Sequence, residues 1–297
     1  MTEQLKLKLN DSKATRWGAL VIVAFTMMAA YYVNDVVAPL KTMLETDLAW
    51  SSTDFGFFTG GYSFLNVFFL MLIWGGLILD RFGIRFTGKL ATILMVGGTA
   101  LEYYAMTGLA GADATLFGIN EIFGYKTGVF VAFAGYSIFG VGAEVAGITV
   151  SKIIAKWFKG KELATAMGVQ VALARIGSQA GYAVAIPLAR AFGISTPVLL
   201  GLVLLLGGMI AFFVFAVMDK KLDKQMEAAA IAAGTEDEEE KFSFKDVKNI
   251  LVNPGFWLIA LLCVLFYSCV FPFQKFASEL MLSLIHISEP TRLRCIS

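Results

Sequence analysis

Residues 76–88 read Gly76-Leu-Ile-Leu-Asp80-Arg81-Phe-Gly83-Ile-Arg85-Phe-Thr-Gly88, a charged knot between two apolar runs. Upstream, residues 52–79 hold one charged side chain, Asp54; downstream, residues 87–110 hold two, Lys89 and Glu102. So short a knot between such runs reads as a turn at a membrane surface. The basic residues suit lipid headgroups. A reversal this tight uses the backbone freedom of Gly83. Asp80 is expected to accept hydrogen bonds from a neighbouring helix N-terminus.

The rest of the chain agrees. Of 297 residues, 58% are hydrophobic and 16% charged, against about a quarter charged in soluble domains. Seven apolar spans, 17–40, 52–79, 87–110, 127–154, 163–189, 196–218 and 254–281, are each long enough for a bilayer core of about 30 Å. The expected fold class is an all-α membrane protein, and a soluble enzyme is excluded. Ser51 and Ser52 can cap the second span, with Asp54 in its first turn. Thr196-Pro197 and Asn253-Pro254 start the sixth and seventh. No cleavage pattern follows the first span, so it is expected to remain as a helix. A net charge of +1 gives no case for nucleic acid. One histidine and three scattered cysteines offer no metal or cofactor ligand set.

Orientation comes from lysine and arginine in the loops. Seventeen lie on one side, including Lys13, Arg16, Arg81, Arg85, Lys156 and Lys161; three, Lys41, Lys126 and Arg190, lie on the other. The N-terminus is therefore expected to be cytoplasmic, in a multi-pass cell membrane of the bacterial inner-membrane type. Residues 1–218 read as a six-helix bundle and 219–253 as a cytoplasmic central loop. In that loop a short helix is expected over 222–233, ended by Gly234, and an amphipathic surface helix over 243–251. Residues 254–281 form the seventh span.

Residues 282–297 read differently. Leu282 to Arg292 match the translation of a common transposase sequencing adapter without a mismatch. This tail carries the only histidine, His286. It is expected to be non-native, and the chain a fragment of a longer gene product.

Charges in mid-membrane cost about 2.5–3.5 kcal/mol on insertion scales and ask for a reason. Glu144 on the fourth span and Arg175 on the fifth are equidistant from the loop at 156–162, roughly 15 residues or about 23 Å of helix away. One reading is an ion pair holding two helices together. The other is a substrate clamp, with Arg175 taking a carboxylate and Glu144 an ammonium group; the two coexist if ligand parts the pair. Gln170 and Gln179 add neutral hydrogen-bonding groups, Gln179 on the better face. Tyr31, Tyr32, Asn34, Tyr62, Asn66, Tyr103 and Tyr104 are further candidates. Asp35 and Glu102 are candidates for relaying protons. Lys275 and Glu279, one turn apart, are expected to pair. Gly177 with Gly181, and Gly135, Gly140, Gly142 and Gly147, suit close helix packing.

The knot at 76–88 resembles the loop motif of the major facilitator superfamily, Gly-x-x-x-Asp-Arg-x-Gly-Arg-Arg. Gly76, Asp80, Arg81, Gly83 and Arg85 match, and Ile84 replaces a usual basic residue. An echo, Arg190-Ala-Phe192-Gly193-Ile194 after the fifth span, suits the inverted repeats of such folds. Gly140-Val-Gly142-Ala-Glu144, Trp157-Phe158-Lys159-Gly160-Lys161-Glu162-Leu163 and Ala174-Arg175-Ile-Gly177-Ser178 resemble the group around major facilitator superfamily domain-containing protein 1. The resemblance implies the N-terminal six-helix half of the fold plus its seventh helix, with a loop motif that latches the halves. It implies an alternating-access transporter, not an enzyme, moving a small zwitterionic solute, with short peptides first and protons as a candidate coupling partner. Glu144 and Arg175 would meet the peptide's charged ends. The alternatives are a complete seven-span receptor or scaffold, and a transporter of organic anions.

Overall fold

The computed structural model describes residues 9–110, 115–116, 118–233 and 252–287. The first unit holds α1 (Lys13–Val36), a 3-10 turn (Ala38–Leu40), α2 (Lys41–Asp47), α3 (Ser52–Phe68) and α4 (Met71–Thr107). A two-stranded hairpin, β1 (Glu121–Ile122) and β2 (Tyr125–Lys126), follows, then α5 (Thr127–Trp157), α6 (Leu163–Phe192) and α7 (Thr196–Ala233). The second unit holds α8 (Pro254–Ile287).

Local signals act as expected at several ends. Ser51 caps α3 in a reciprocal box: the Asp54 N–H donates to Ser51 Oγ at 3.1 Å and the Ser51 N–H to Asp54 Oδ2 at 2.8 Å. α7 starts at Thr196, and α8 at Pro254 with the Gly255 N–H donating to Asn253 Oδ1 at 2.9 Å. Among the described residues, four helical stretches are long and apolar enough to cross a membrane, Lys13–Asp47, Thr127–Trp157, Thr196–Ala228 and Pro254–Ala277. The bent pair α3–α4 makes five. α6 is 30 residues long, its apolar run diluted by Gln170, Arg175 and Gln179.

Three spans, the second, sixth and seventh, depart from expectation. The second is broken: α3 ends at Phe68, Leu70 takes a left-handed conformation with φ 51°, and the axis bends by 58°. The expected short helix over 222–233 is instead the unbroken continuation of α7. The expected amphipathic helix lies outside the described residues. α8 continues to Ile287, past the expected end of the seventh span. The hairpin was not foreseen; Phe123 and Gly124, φ 54° and 80°, make its turn.

The bundle has an internal symmetry. α1 packs on α6 and α7, while α5 packs on α3 and α4, and α4 meets α7. The first span of each three-span set thus packs against the second and third of the other set, as the sequence echo suggested. The two echo glycines confirm the correspondence. Gly83 has φ 75° and ψ 172°, and Gly193 has φ 102° and ψ 158°, a region essentially reserved for glycine. Each is preceded by an exposed phenylalanine, Phe82 or Phe192, and followed by a buried isoleucine, Ile84 or Ile194. Gly83 therefore divides α4 into two arms, 71–82 and 84–107, which supply the end of span two and the whole of span three.

Small residues set the helix contacts. A Cβ at Gly177 would collide with the Met28 carbonyl, and one at Gly181 would sit 3.0 Å from the Tyr32 carbonyl, so α1 is the helix their stripe admits. Gly98, Gly135 and Gly142 do the same between α4 and α5.

Candidate functional site

Glu144 and Arg175 do not form an ion pair in this structure. Their helices barely touch, because α5 packs on α3 and α4 while α6 packs on α1. Each charge is held by a tyrosine of a different helix. Tyr62 on α3 donates its hydroxyl to Glu144 Oε1 at 2.7 Å. The Arg175 guanidinium lies over the Tyr31 ring on α1, 5.4 Å from its centroid, a favourable cation–π placement. Glu144 is half-buried and Arg175 exposed. Two opposite charges thus stand on different helices without pairing, each beside a tyrosine.

The other candidates fall into two groups. Gln179, one turn past Arg175, is exposed and Gln170 half-buried. Asn66 donates back to the Tyr62 carbonyl at 3.0 Å, beside the Glu144 contact. Tyr32 points elsewhere: it is 2% exposed and its hydroxyl donates to the Pro197 carbonyl at 3.2 Å. Its place is therefore the α1–α7 packing seam, against Gly201, and the expectation that it meets substrate is not supported by this geometry.

Asn34, Asp35 and Glu102 belong to a deeper cluster. Asn34 donates its amide to Asp35 Oδ1 at 2.9 Å. Tyr136 on α5 donates to the Asn34 carbonyl at 2.8 Å, with Asn34 Oδ1 3.1 Å away. Tyr136 is close enough to Glu102, Asp35, Tyr62 and Tyr182 to interact electrostatically. Asp35 is 6% exposed and Glu102 wholly buried. Tyr136 is the hub that sequence reading missed. A tyrosine in an apolar span looks like an interfacial anchor, and no pattern in the sequence marks its partners. The proton-relay candidates thus flank one tyrosine, next to the Tyr62–Glu144 contact rather than within it.

The basic face carries a second network. Arg85 donates to Asp223 Oδ2 at 2.8 Å and lies 3.7 Å from Asp219 Oδ2. Lys156 bonds Asp219 Oδ1 at 2.8 Å and also reaches Asp223, and Trp157 Nε1 donates to Asp219 Oδ1 at 3.0 Å. Asp219 and Asp223 also escaped sequence reading, although an Asp-x-x-x-Asp spacing beside so many lysines was the available signal. Asp80 pairs with Lys152 of α5 at 2.8 Å, not with a helix N-terminus as expected. Arg81 instead leans on the Phe82 ring, 5.6 Å from its centroid.

The N-terminal segment straps this face. Leu9 N–H donates to Gln225 Oε1 at 2.8 Å, Lys161 bonds Asp11 at 2.8 Å, and Arg16 bonds Glu162 Oε2 at 2.7 Å. The Arg16 guanidinium holds the Glu162 carboxyl below the usual carboxylate range. A lowered folded pKa gives a contribution that is complete above the unfolded value, about 4.3, and is lost as pH falls through the lower folded one. Amide-exchange protection of residues 9–16 is therefore expected to hold from pH 7 to about 5 and to fall only below about pH 4.3. Glu162→Gln should lower that protection already at pH 7. Equal protection in both proteins would show that the strap does not depend on this contact.

The profile of the Major Facilitator Superfamily matches residues 20–288. The chain is 28% identical over 268 residues to the lysosomal dipeptide transporter MFSD1 of Pongo abelii, covering 86% of this chain and 51% of that protein. Against the same-named protein of Homo sapiens it is 28% identical over 274 residues, 88% of this chain and 52% of that one. Against that of Gallus gallus it is 34% identical over 152 residues, 47% and 32% of the two chains. The chain therefore spans about half the length of the curated relatives it matches most fully. With the glycine-turned loop at 83 and the paired three-span sets, these matches make the chain a multi-pass, all-α membrane protein that belongs to the Major Facilitator Superfamily.

Proposed function

We propose that this chain supplies the first half, plus the seventh span, of an alternating-access transporter for small zwitterionic solutes, with short peptides as substrate. The observation that carries this reading is the separation of Glu144 and Arg175. Each is held by a tyrosine that a ligand can replace or share. A dipeptide offers an ammonium group for Glu144 and a carboxylate for Arg175, so it bridges two helices that otherwise stay apart. Gln179 lies on the same side for a neutral hydrogen bond. The name shared by the relatives, a dipeptide transporter, supports the substrate class. One arginine is too little for a polyanion, and superfamily membership leaves the seven-span receptor without support.

In this reading the loops rich in lysine and arginine, and the N-terminus with them, face the cytosol. That holds in a cell membrane or a lysosomal one. The expected bacterial inner-membrane location is not shared by the relatives, whose name is lysosomal. Asp35 and Glu102, on either side of Tyr136, are the groups through which proton coupling would run. Residues 219–253 include the link between halves, and the adapter-like sequence 282–297 is non-native, its first six residues extending α8.

Reconstituted into liposomes, the 297-residue chain alone is expected to give no dipeptide flux above empty vesicles. The protein carrying a complete second half is expected to take dipeptide up. Flux from the 297-residue chain would contradict the half-transporter reading, and absence of flux from the complete protein would contradict the substrate class.

A further inference from the structure

The outer faces of α4 and α7 meet in a basic and aromatic groove at the basic end of the bundle. Their approach is close, since a Cβ at Gly88 would collide with the Phe212 ring. On α4, Phe82 and Phe86 are 55% and 51% exposed, with ring centroids 5.1 Å apart. On α7, Phe213 and Val217 are 40% and 58% exposed. Lys89 of α4 reaches across to the Phe213 ring, 5.2 Å from its centroid. The spacing Phe213, Val217, Lys220, Lys224 places all four on one face of α7. Since Lys89 is level with Phe213, Lys220 stands about 10 Å further along the axis. The groove thus has an apolar floor and a cationic upper rim.

Charge accounting leaves that rim free. The acids near it are already engaged: Asp219 and Asp223 with Arg85 and Lys156, and Asp80 with Lys152. Among the described residues Arg81, Lys220, Lys221 and Lys224 are exposed and have no ion-pair partner. Glu227, one turn beyond Asp223, is the remaining carboxylate on this stretch of α7. A soluble anion would gain nothing from the exposed phenylalanines beneath the lysines. A lipid fits both levels, acyl chains on the aromatic floor and headgroup phosphate at the rim. Lys89, at floor level, can bring its ammonium up toward the rim along its alkyl stem.

The geometry points to a binding site for an anionic phospholipid, seated between α4 and α7 in the leaflet at the basic face. Arg81, Lys89, Lys220 and Lys224 hold its phosphate, and Phe82, Phe86, Phe213 and Val217 carry its chains. Because Arg85 ties the same two helices together through Asp223, an occupied site would brace the seam between the two three-span sets. The site is separate from Glu144 and Arg175.

Native mass spectrometry of the purified 297-residue chain in detergent, with phosphatidylglycerol and phosphatidylcholine added together, tests this. The chain is expected to retain phosphatidylglycerol preferentially. Each cation near a membrane surface contributes about five-fold, so Lys220→Gln with Lys224→Gln should cut that preference at least about ten-fold. These lysines are exposed and unpaired, so folding should be undisturbed. A control, Lys13→Gln with Lys159→Gln, removes two exposed charges of the same face elsewhere and should leave the preference within about two-fold. Loss in the first variant alone supports the site. Equal loss in both would reduce the effect to diffuse charge, and no preference in the parent chain would overturn the site. Competition by millimolar inorganic phosphate would assign the rim to a free anion and overturn the lipid assignment.

Discussion

In the complete transporter, Arg175→Ala is expected to lower dipeptide uptake at sub-saturating substrate by about thirty-fold or more while the protein still folds. Truncating one side of a charge pair in a sheltered site costs about 2–5 kcal/mol, and about 1.4 kcal/mol is a factor of ten. Folding should persist because Arg175 is exposed and makes no ion pair within the bundle; its contact is the face of the Tyr31 ring. Glu144→Gln should fall by a similar factor. It keeps an oxygen for the Tyr62 hydroxyl, so lost uptake would trace to the charge and not to a broken helix contact. Tyr62→Phe separates the roles further. It frees Glu144 from its resting partner and should change uptake far less than removing the carboxylate. Uptake unchanged in both Arg175→Ala and Glu144→Gln would leave the two charges without a part in transport.

The largest effect on stability is expected at Asp219. Its side chain is wholly buried and meets Lys156, Arg85 and the Trp157 indole N–H. Breaking a buried pair by removing one partner costs about 3–5 kcal/mol. Lys156 is 23% exposed and keeps Asp223, so the loss for Asp219→Ala is discounted to about 2–3 kcal/mol. Asp223→Ala should cost under about 1 kcal/mol, because its own side chain is 39% exposed and solvent screens it. Thermal unfolding of the two variants in the same detergent gives the comparison. A larger loss at Asp223 than at Asp219 would mean that this network is held from its exposed edge.

What could be read from the sequence follows from the range of the interactions involved. The knot at 76–88 was legible because a membrane-surface turn needs glycine and basic residues within a few positions. The same logic exposed its echo at 190–194, where Gly193 adopts the backbone of Gly83. Capping at Ser51 and at Asn253 is equally local. The Glu144–Arg175 relation was legible only in part. Distance from a shared loop gives depth along the membrane, but whether two helices stay in contact depends on their other neighbours. α5 and α6 are drawn apart by α4 and α1, whose glycine-lined seams admit closer packing. Tyr32 shows the same limit: adjacent to Tyr31 in sequence, it turns about a quarter of a helical circuit away and so meets α7. Tyr136, Asp219 and Asp223 take their meaning from partners 60 or more positions distant, and the local Asp-x-x-x-Asp spacing does not identify those partners. The break at Leu70 has no sequence signature, since leucine is a good helix former.

The proposed recognition of a zwitterion sets its ammonium end at Glu144 and its carboxylate end at Arg175. It is tested most directly by competition for dipeptide uptake in the complete transporter, using the free dipeptide, its N-acetyl form and its C-terminal amide. Loss of either terminal charge removes one partner of a charged contact, so each blocked form should compete at least about thirty-fold more weakly than the free peptide. Arg175→Ala should erase the penalty for the amide alone, and Glu144→Gln the penalty for the acetyl form alone. Blocked and free peptides competing equally well would show that neither terminal charge is recognised.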